Sequence, residues 1–426
     1  MKRSSLLRFL AACVALSGVA SLAAHAADWP AFRGPHGDGI TEETGFPLEW
    51  STEKNVRWKL KLPNRGNESP IVSNGRVFVT SATEKGTERR LHCVDRKTGD
   101  LLWTKTVSVE GDEPTHQTNP FGAATPAATG ERVVVWHGSA GLYCYDFDGN
   151  ELWKRDLGKV GHIWGYGSSP MIHGGRVLLN FGPGKEQFIV AVSLNDGEVL
   201  WRYDEAGGNN DRQGRMSGSW STPVIADVGG SEQIICSMPT RVVALSPDAG
   251  SLLWSCDGIS GKNGDLVYTS PLIGKGFGIA MGGYTGPALG FRLDNASSGD
   301  VTNSHRLWHD EQKHPQRIGS GVILGEHVFM ANAGPGIIQC LEASTGKELW
   351  KDRGDGANHW GSIVSADGRL YVTNQKGTTV VFAPNVEKFE ALAENALGEP
   401  SNSTPAFSDG QIFIRTDGHL WCIAEE

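Results

Sequence analysis

The side chains best suited to chemistry fall just ahead of a motif that recurs along the chain. They are Asn67 and Glu68, Trp164 and Tyr166, Trp220, Tyr268, Gln316 and Arg317, His359 and Trp360, and Asn402. One copy of the motif follows only Gly122-Ala-Ala, but His116 and Asn119 lie close upstream of it. Convergent aromatic rings with a few fixed polar groups are what a small-ligand site requires. The Trp and Tyr faces would stack on a sugar, a peptide or a planar ring. Arg317 would pair with a ligand carboxylate or phosphate through its fork of N–H donors. Glu68 and His116 have the chemistry of an acid/base or metal-binding pair. They come from different loops, so no catalytic role and no metal site is assigned to them. The competing reading is structural: these residues plug a channel or pack against the N-terminal segment.

The motif itself is a small residue followed by Pro, seen as Ser69-Pro70, Thr125-Pro126, Ser169-Pro170, Thr222-Pro223, Ser270-Pro271 and Thr404-Pro405. Ser320-Gly321 and Ser362-Ile363 are degenerate copies without the Pro. Each copy opens a short apolar strand, then a Gly-centred turn and a second apolar strand, which is a hairpin signal. Pro is tolerated at a strand's first residue because its missing N–H lies outside the ladder. Each unit then ends as Cys93-Val-Asp-Arg-Lys-Thr-Gly-Asp-Leu-Leu-Trp103 does, with a tight turn and a Trp-bearing strand. Trp103, Trp153, Trp201, Trp254, Trp308 and Trp350 recur at a spacing of roughly 50 residues, and Phe389 is read as filling the next slot. Four strands at that period predict an all-β protein, a β-propeller of four-stranded antiparallel blades.

The two ends supply the count. The last unit stops after His419-Leu-Trp-Cys-Ile423 without a fourth strand, while residues 55–62 form an alternating strand carrying Trp58 with no unit of its own. Pairing them closes the ring at eight blades and removes an exposed sheet edge. The Trp residues, Trp58 included, are therefore assigned to docking between blades, where a large ring with one N–H needs a carbonyl. The helix-like run Glu387–Glu394 is read as a degenerate outer strand. Gly282-Gly-Tyr-Thr-Gly286 is not a phosphate loop, because no helix follows it.

These units resemble the tryptophan-docking repeats of the PQQ-like (pyrroloquinoline-quinone-like) β-propeller superfamily over residues 55–426. That superfamily includes quinoprotein dehydrogenases, BamB-type outer-membrane assembly factors and exported bacterial propellers, the last of which Asp28-Trp-Pro-Ala-Phe-Arg-Gly-Pro-His-Gly-Asp-Gly39 resembles most. Among the dehydrogenases the resemblance implies PQQ with Ca²⁺ above the axis, held with an adjacent Cys-Cys pair, a Glu/Asn calcium cluster and an Asp base. This sequence has no Cys-Cys pair. No cofactor is therefore predicted, and PQQ with Ca²⁺ is kept as the alternative.

Residues 1–26 read as an export signal, with Lys2, Arg3 and Arg8 ahead of an apolar run and cleavage after Ala26. Lipidation at Cys13 is the rival reading. Residues 27–54 form a turn-rich arm expected to wrap the outside or one face of the ring. A net charge of −9 argues against a nucleic-acid partner, and no later stretch has the length of a membrane span. Cys93, Cys144, Cys340 and Cys422 share one repeated slot and are expected to be buried and unpaired; only Cys236 and Cys256 fall close enough for a bridge. The sequence thus predicts an exported, soluble, monomeric propeller that binds a protein partner or a small polar or aromatic ligand. The alternatives are a BamB-like assembly factor and a PQQ-dependent oxidoreductase.

Overall fold

The period-two strands and their Gly-centred turns assemble as eight four-stranded antiparallel blades arranged in a ring. The computed structural model describes residues 28–205, 216–312 and 315–425. The first blade shows the pattern, running outward through Ile71–Ser73, Arg76–Ala82, Glu88–Asp95 and Leu101–Ser108. Its inner strands are buried along almost their whole length, because both faces press against neighbouring blades. The outer strand alternates and leaves Leu101 and Leu102 exposed. In the eighth blade the fourth strand is Val56–Lys61, paired antiparallel to His419–Ile423 with Trp58 opposite Cys422. The ring closes through that pairing.

In seven blades the Trp sits across from a small residue, as in Cys93↔Trp103, Ala191↔Trp201 and Gly290↔Trp308. A β-bulge follows that pair toward the turn in every blade. The bulge aims the indole sideways at the next blade. Trp58 donates to the Arg96 carbonyl at 2.9 Å, Trp103 to Phe147 at 2.9 Å and Trp308 to Ala343 at 2.8 Å; Trp153, Trp201 and Trp350 do the same. The turn glycine is needed twice over. Gly99 has φ +77°, and a Cβ there would stand 2.6 Å from the Trp58 ring.

Two slots depart from the expected pattern. Trp254 donates to Oε1 of Gln233 in its own blade at 2.8 Å. A parallel fifth strand, Gly299–Asp300, covers the edge beside it and pairs Gly299 with Trp254. In the seventh blade the register puts Ala393, not Phe389, in the Trp slot, opposite Val381. Phe389 precedes the outer strand Ala391–Ala396 and packs on Trp350 and Phe382, with centroids 6.0 and 5.5 Å away. It packs in the seam with the sixth blade, where Trp350 already docks.

The arm does more than wrap a face: it crosses the ring. Trp29 exchanges two 2.9 Å backbone hydrogen bonds with Val72 in the first blade, and Pro30 accepts from Ala128 in the second. Arg33 donates to the Gly321 carbonyl in the sixth blade. Gly39 and Thr41 then pair with Ser365 in the seventh. The chain leaves along Phe407, whose ring lies 5.0 Å from Phe46, and Asn395 fixes it by bonding Trp50 and Leu48. It thus reaches Val56 ready to close the eighth blade. The export-signal reading falls on residues 1–26, outside the described residues. All six described cysteines are free and buried, Cys236 and Cys256 included. Among the described residues no helix is long and apolar enough to cross a membrane.

Candidate functional site

The innermost strands decide which candidate side chains meet. Successive residues of an extended chain point to opposite sides, so each motif hydroxyl shares its direction with the residue two before it. Asn67, Ala123, Gly167, Trp220, Tyr268, Ile318, Trp360 and Asn402 all stand at that position, and all line one axial cavity of about 450 Å³. His116, Asn119 and Trp164 reach it from loops. Gln316 lines it too, so nine of the thirteen residues singled out from the sequence share a cavity.

The other four turn away, for the same reason. Tyr166, Arg317 and His359 stand three residues before their hydroxyls and Glu68 one before, so they point into the seams between blades. Glu68 is fully buried and paired with Arg415. Tyr166 packs against Trp136 and donates to the Phe121 carbonyl. Arg317 is buried with none of its three nitrogens hydrogen-bonded, and burial pulls its pKa down to about 10. His359 is buried with Asp355 4.0 Å away. None of these four lines the cavity.

The floor of the cavity explains the motif. The Ser69 N–H donates to Thr125 Oγ1 at 2.9 Å, Thr125 N–H to Ser169 Oγ at 3.0 Å, and Ser169 N–H to Thr222 Oγ1 at 3.0 Å. The chain resumes from Ser270 to Ser320, Ser362, Thr404 and back to Ser69. The repeated position is therefore suited to a hydroxyl as well as to small size, since seven of the eight oxygens satisfy a neighbouring blade's buried N–H. Phe32, from the crossing arm, lines the same cavity.

The walls differ in character. Over the third to fifth blades, Trp164 stacks on Tyr284 with centroids 5.8 Å apart, and lies 6.0 Å from Trp220 and 6.2 Å from Tyr268. Tyr284 and Thr285 both hold positive φ, +49° and +66°. Such backbone costs about 1–3 kcal/mol per residue and is concentrated at working sites. The glycine-rich turn Gly282–Gly286 thus serves to place an aromatic ring. Opposite, a relay of amides spans five blades: Gln375 donates to Asn402 at 3.0 Å, Asn402 to Asn67 at 3.1 Å and Asn67 to Asn119 at 3.2 Å. Asn119 then donates to the Trp164 and Tyr166 carbonyls. A neighbouring hollow of about 340 Å³ shares Asn67, Thr118 and Asn402 and holds the charged Arg65 and Asp417. The main cavity, among the described residues, is lined by no Lys, Arg, Asp or Glu.

Sequence reasoning missed the hydroxyl ring, Tyr284 and Phe32. The first was legible, because all eight motif residues are Ser or Thr. The other two arrive through a strained turn and a crossing arm, which leave no periodic trace.

Buried histidines around this core make stability depend on pH. Desolvation lowers the pKa of His359, His162 and His92 to about 4 and of His137 to about 3. They stay neutral in the fold, so the stability they contribute is complete above about pH 6.5 and is lost as pH falls toward 4, at about 1.4 kcal/mol per pH unit each. The urea midpoint is expected to fall steadily from pH 6.5 to 4.5, and His359→Gln to reduce that slope by about one proton.

A family model described as outer membrane protein assembly factor BamB matches residues 48–104, 87–352 and 334–426. A quinohemoprotein alcohol dehydrogenase from Comamonas testosteroni is 24% identical over 315 residues, 59% of this chain and 42% of that protein. A quinoprotein ethanol dehydrogenase from Pseudomonas putida is 28% identical over 210 residues, 44% of this chain and 32% of that one. The chain spans less than half the length of these curated relatives. Among solved structures, BamB from Moraxella catarrhalis superposes with a TM-score of 0.60 at 14% identity, covering 86% of this chain and 98% of the other. The C. testosteroni dehydrogenase gives 0.63 at 14% identity, with 93% and 80% covered. At such identities the structural likeness is one of fold.

Proposed function

We propose that this chain, which belongs to the family described as outer membrane protein assembly factor BamB, is an exported, non-catalytic binding module whose axial cavity takes a small ligand. The observation that carries this reading is the cavity itself, with an aromatic wall, an amide wall and a hydroxyl floor converging on about 450 Å³. Pockets for small ligands have this mixture of apolar rings and a few fixed polar groups, at volumes of about 300–1,000 Å³.

An oxidoreductase reading would follow the quinoprotein relatives. It asks the cavity to hold PQQ, a planar quinone with three carboxylates, together with Ca²⁺. The lining does not fit that pair. Ca²⁺ takes oxygen ligands, carboxylates prominent among them, and buried carboxylates of the cofactor need cations nearby. The described lining residues include no Asp or Glu for the calcium and no Lys or Arg for the cofactor's carboxylates. No catalytic step is assigned.

A BamB-like scaffold role is supported by a separate observation. The outer strands of five blades expose Leu101, Leu102, Leu152, Val199, Leu200, Leu307 and Leu349, apolar side chains that a protein partner would cover. The two roles use different surfaces and are compatible.

The test is a thermal-shift and absorbance titration of the full chain with PQQ plus Ca²⁺ and with a panel of small neutral and charged compounds. A compound from the panel is expected to raise the midpoint saturably, with the shift lost in Trp220→Ala. A saturable PQQ shift with substrate-dependent bleaching would replace the binding reading with the enzymatic one.

A further inference from the structure

The hydrogen-bonding state of the cavity floor restricts what can sit on it. Each of Ser69, Thr125, Ser169, Thr222, Ser320, Ser362 and Thr404 already accepts a backbone N–H from the blade before it. Every one of these seven also faces the cavity. With one acceptance made, each hydroxyl still offers its O–H proton and one further lone pair. The N–H donation polarises that proton and strengthens it as a donor. A ligand on this floor therefore meets a circle of groups that can each donate one bond and accept another, which suits hydroxyl-bearing ligands.

The walls add two further conditions. Trp164, Trp220, Tyr268 and Tyr284 offer flat faces to a ligand with a flat, weakly polar side, such as the C–H face of a pyranose. The amides of Asn67, Asn402 and Asn119 hold one another in register; Asn67 and Asn119 spend both N–H groups within the wall, which leaves one N–H on Asn402 and second lone pairs on the amide oxygens. A hydroxyl is the ligand group that serves both. Finally, the described lining holds no Lys, Arg, Asp or Glu, so a charged ligand would lose its hydration without a permanent counter-charge. A planar aromatic ligand would satisfy the rings and leave the floor unpaired, at the cost of stranded donors.

We infer that the axial cavity is a saccharide site, taking an uncharged ligand of one or two sugar rings that stacks on the Trp164–Tyr284 wall and sets its oxygens against the Ser/Thr floor. This rests on the reading of the cavity as a ligand site and names its ligand class.

The experiment is isothermal titration of the full chain with glucose, cellobiose and maltose, alongside gluconate and indole as charged and aromatic probes. At least one neutral sugar is expected to bind saturably and to quench Trp fluorescence. Trp220→Ala and Tyr284→Ala are each expected to weaken it tenfold or more. Tyr284 is 45% exposed, so its variant should keep the wild-type urea midpoint and separates lost binding from lost folding. If indole or gluconate binds and the sugars do not, the saccharide inference is overturned while the ligand-site reading stands. If no probe of any class binds or quenches, both are overturned.

Discussion

Replacing Arg415 with alanine is expected to destabilise the propeller by about 3–5 kcal/mol, the usual cost of leaving a buried charge without its partner. The guanidinium and the Glu68 carboxylate are both fully buried. Arg415 spends its donors on Glu68 and on the carbonyls of Gly66, Thr416, Asn64 and Thr80, at 2.9 to 3.3 Å for the four carbonyls. It therefore ties the eighth blade to the first at the mouth end of the seam that closes the ring. Removing it strands the carboxylate and several backbone acceptors together. The double variant Glu68→Gln/Arg415→Met should recover much of the loss, since no bare charge is left. Equilibrium unfolding of the two singles and the double would measure the coupling. A double variant no better than Arg415→Ala would show that packing, and not the pair, dominates at this seam.

Trp29→Ala is expected to cost a comparable ~3–5 kcal/mol, as truncation of a fully buried Trp does. The ring is 1% exposed, lies 6.0 Å from Phe407 and packs under Gly34. Its loss should also loosen the segment that carries Phe32 and Arg33 across the ring. Limited proteolysis is then expected to cut between residues 28 and 54 well before the blades are attacked. Because Phe32 borders the axial cavity, ligand affinity should fall with it. Wild-type resistance of the arm would show that the backbone pairings with Val72 and Ser365 hold it without the indole.

Much of the site is close to legible in the amino-acid sequence. The motif hydroxyl marks the innermost strand, so residues just before it are bound to be near the axis. The strand period of two then sorts them. It puts Trp220 and Asn402 on the axis and sends Arg317, His359, Tyr166 and Glu68 into the seams. Arg317 has the most ligand-like chemistry of the thirteen, yet its charge is held entirely inside the wall. The Phe389 slot fails for a related reason. A one-residue bulge sets the register at each Trp, and with no Trp to mark it in the seventh blade, spacing alone chooses the wrong residue.

The repeat by itself determined the blade, its strand order, the docking role of the Trp residues and the closure by the Trp58 strand. Those features depend on local periodicity and turn chemistry, which every copy states again. Only the tertiary structure decided that the arm crosses the ring and borders a neutral cavity. It alone decided that an amide relay runs across five blades, and that a strained turn lays Tyr284 on Trp164. These features join residues far apart in the chain through single contacts, and a contact made once leaves no pattern along it.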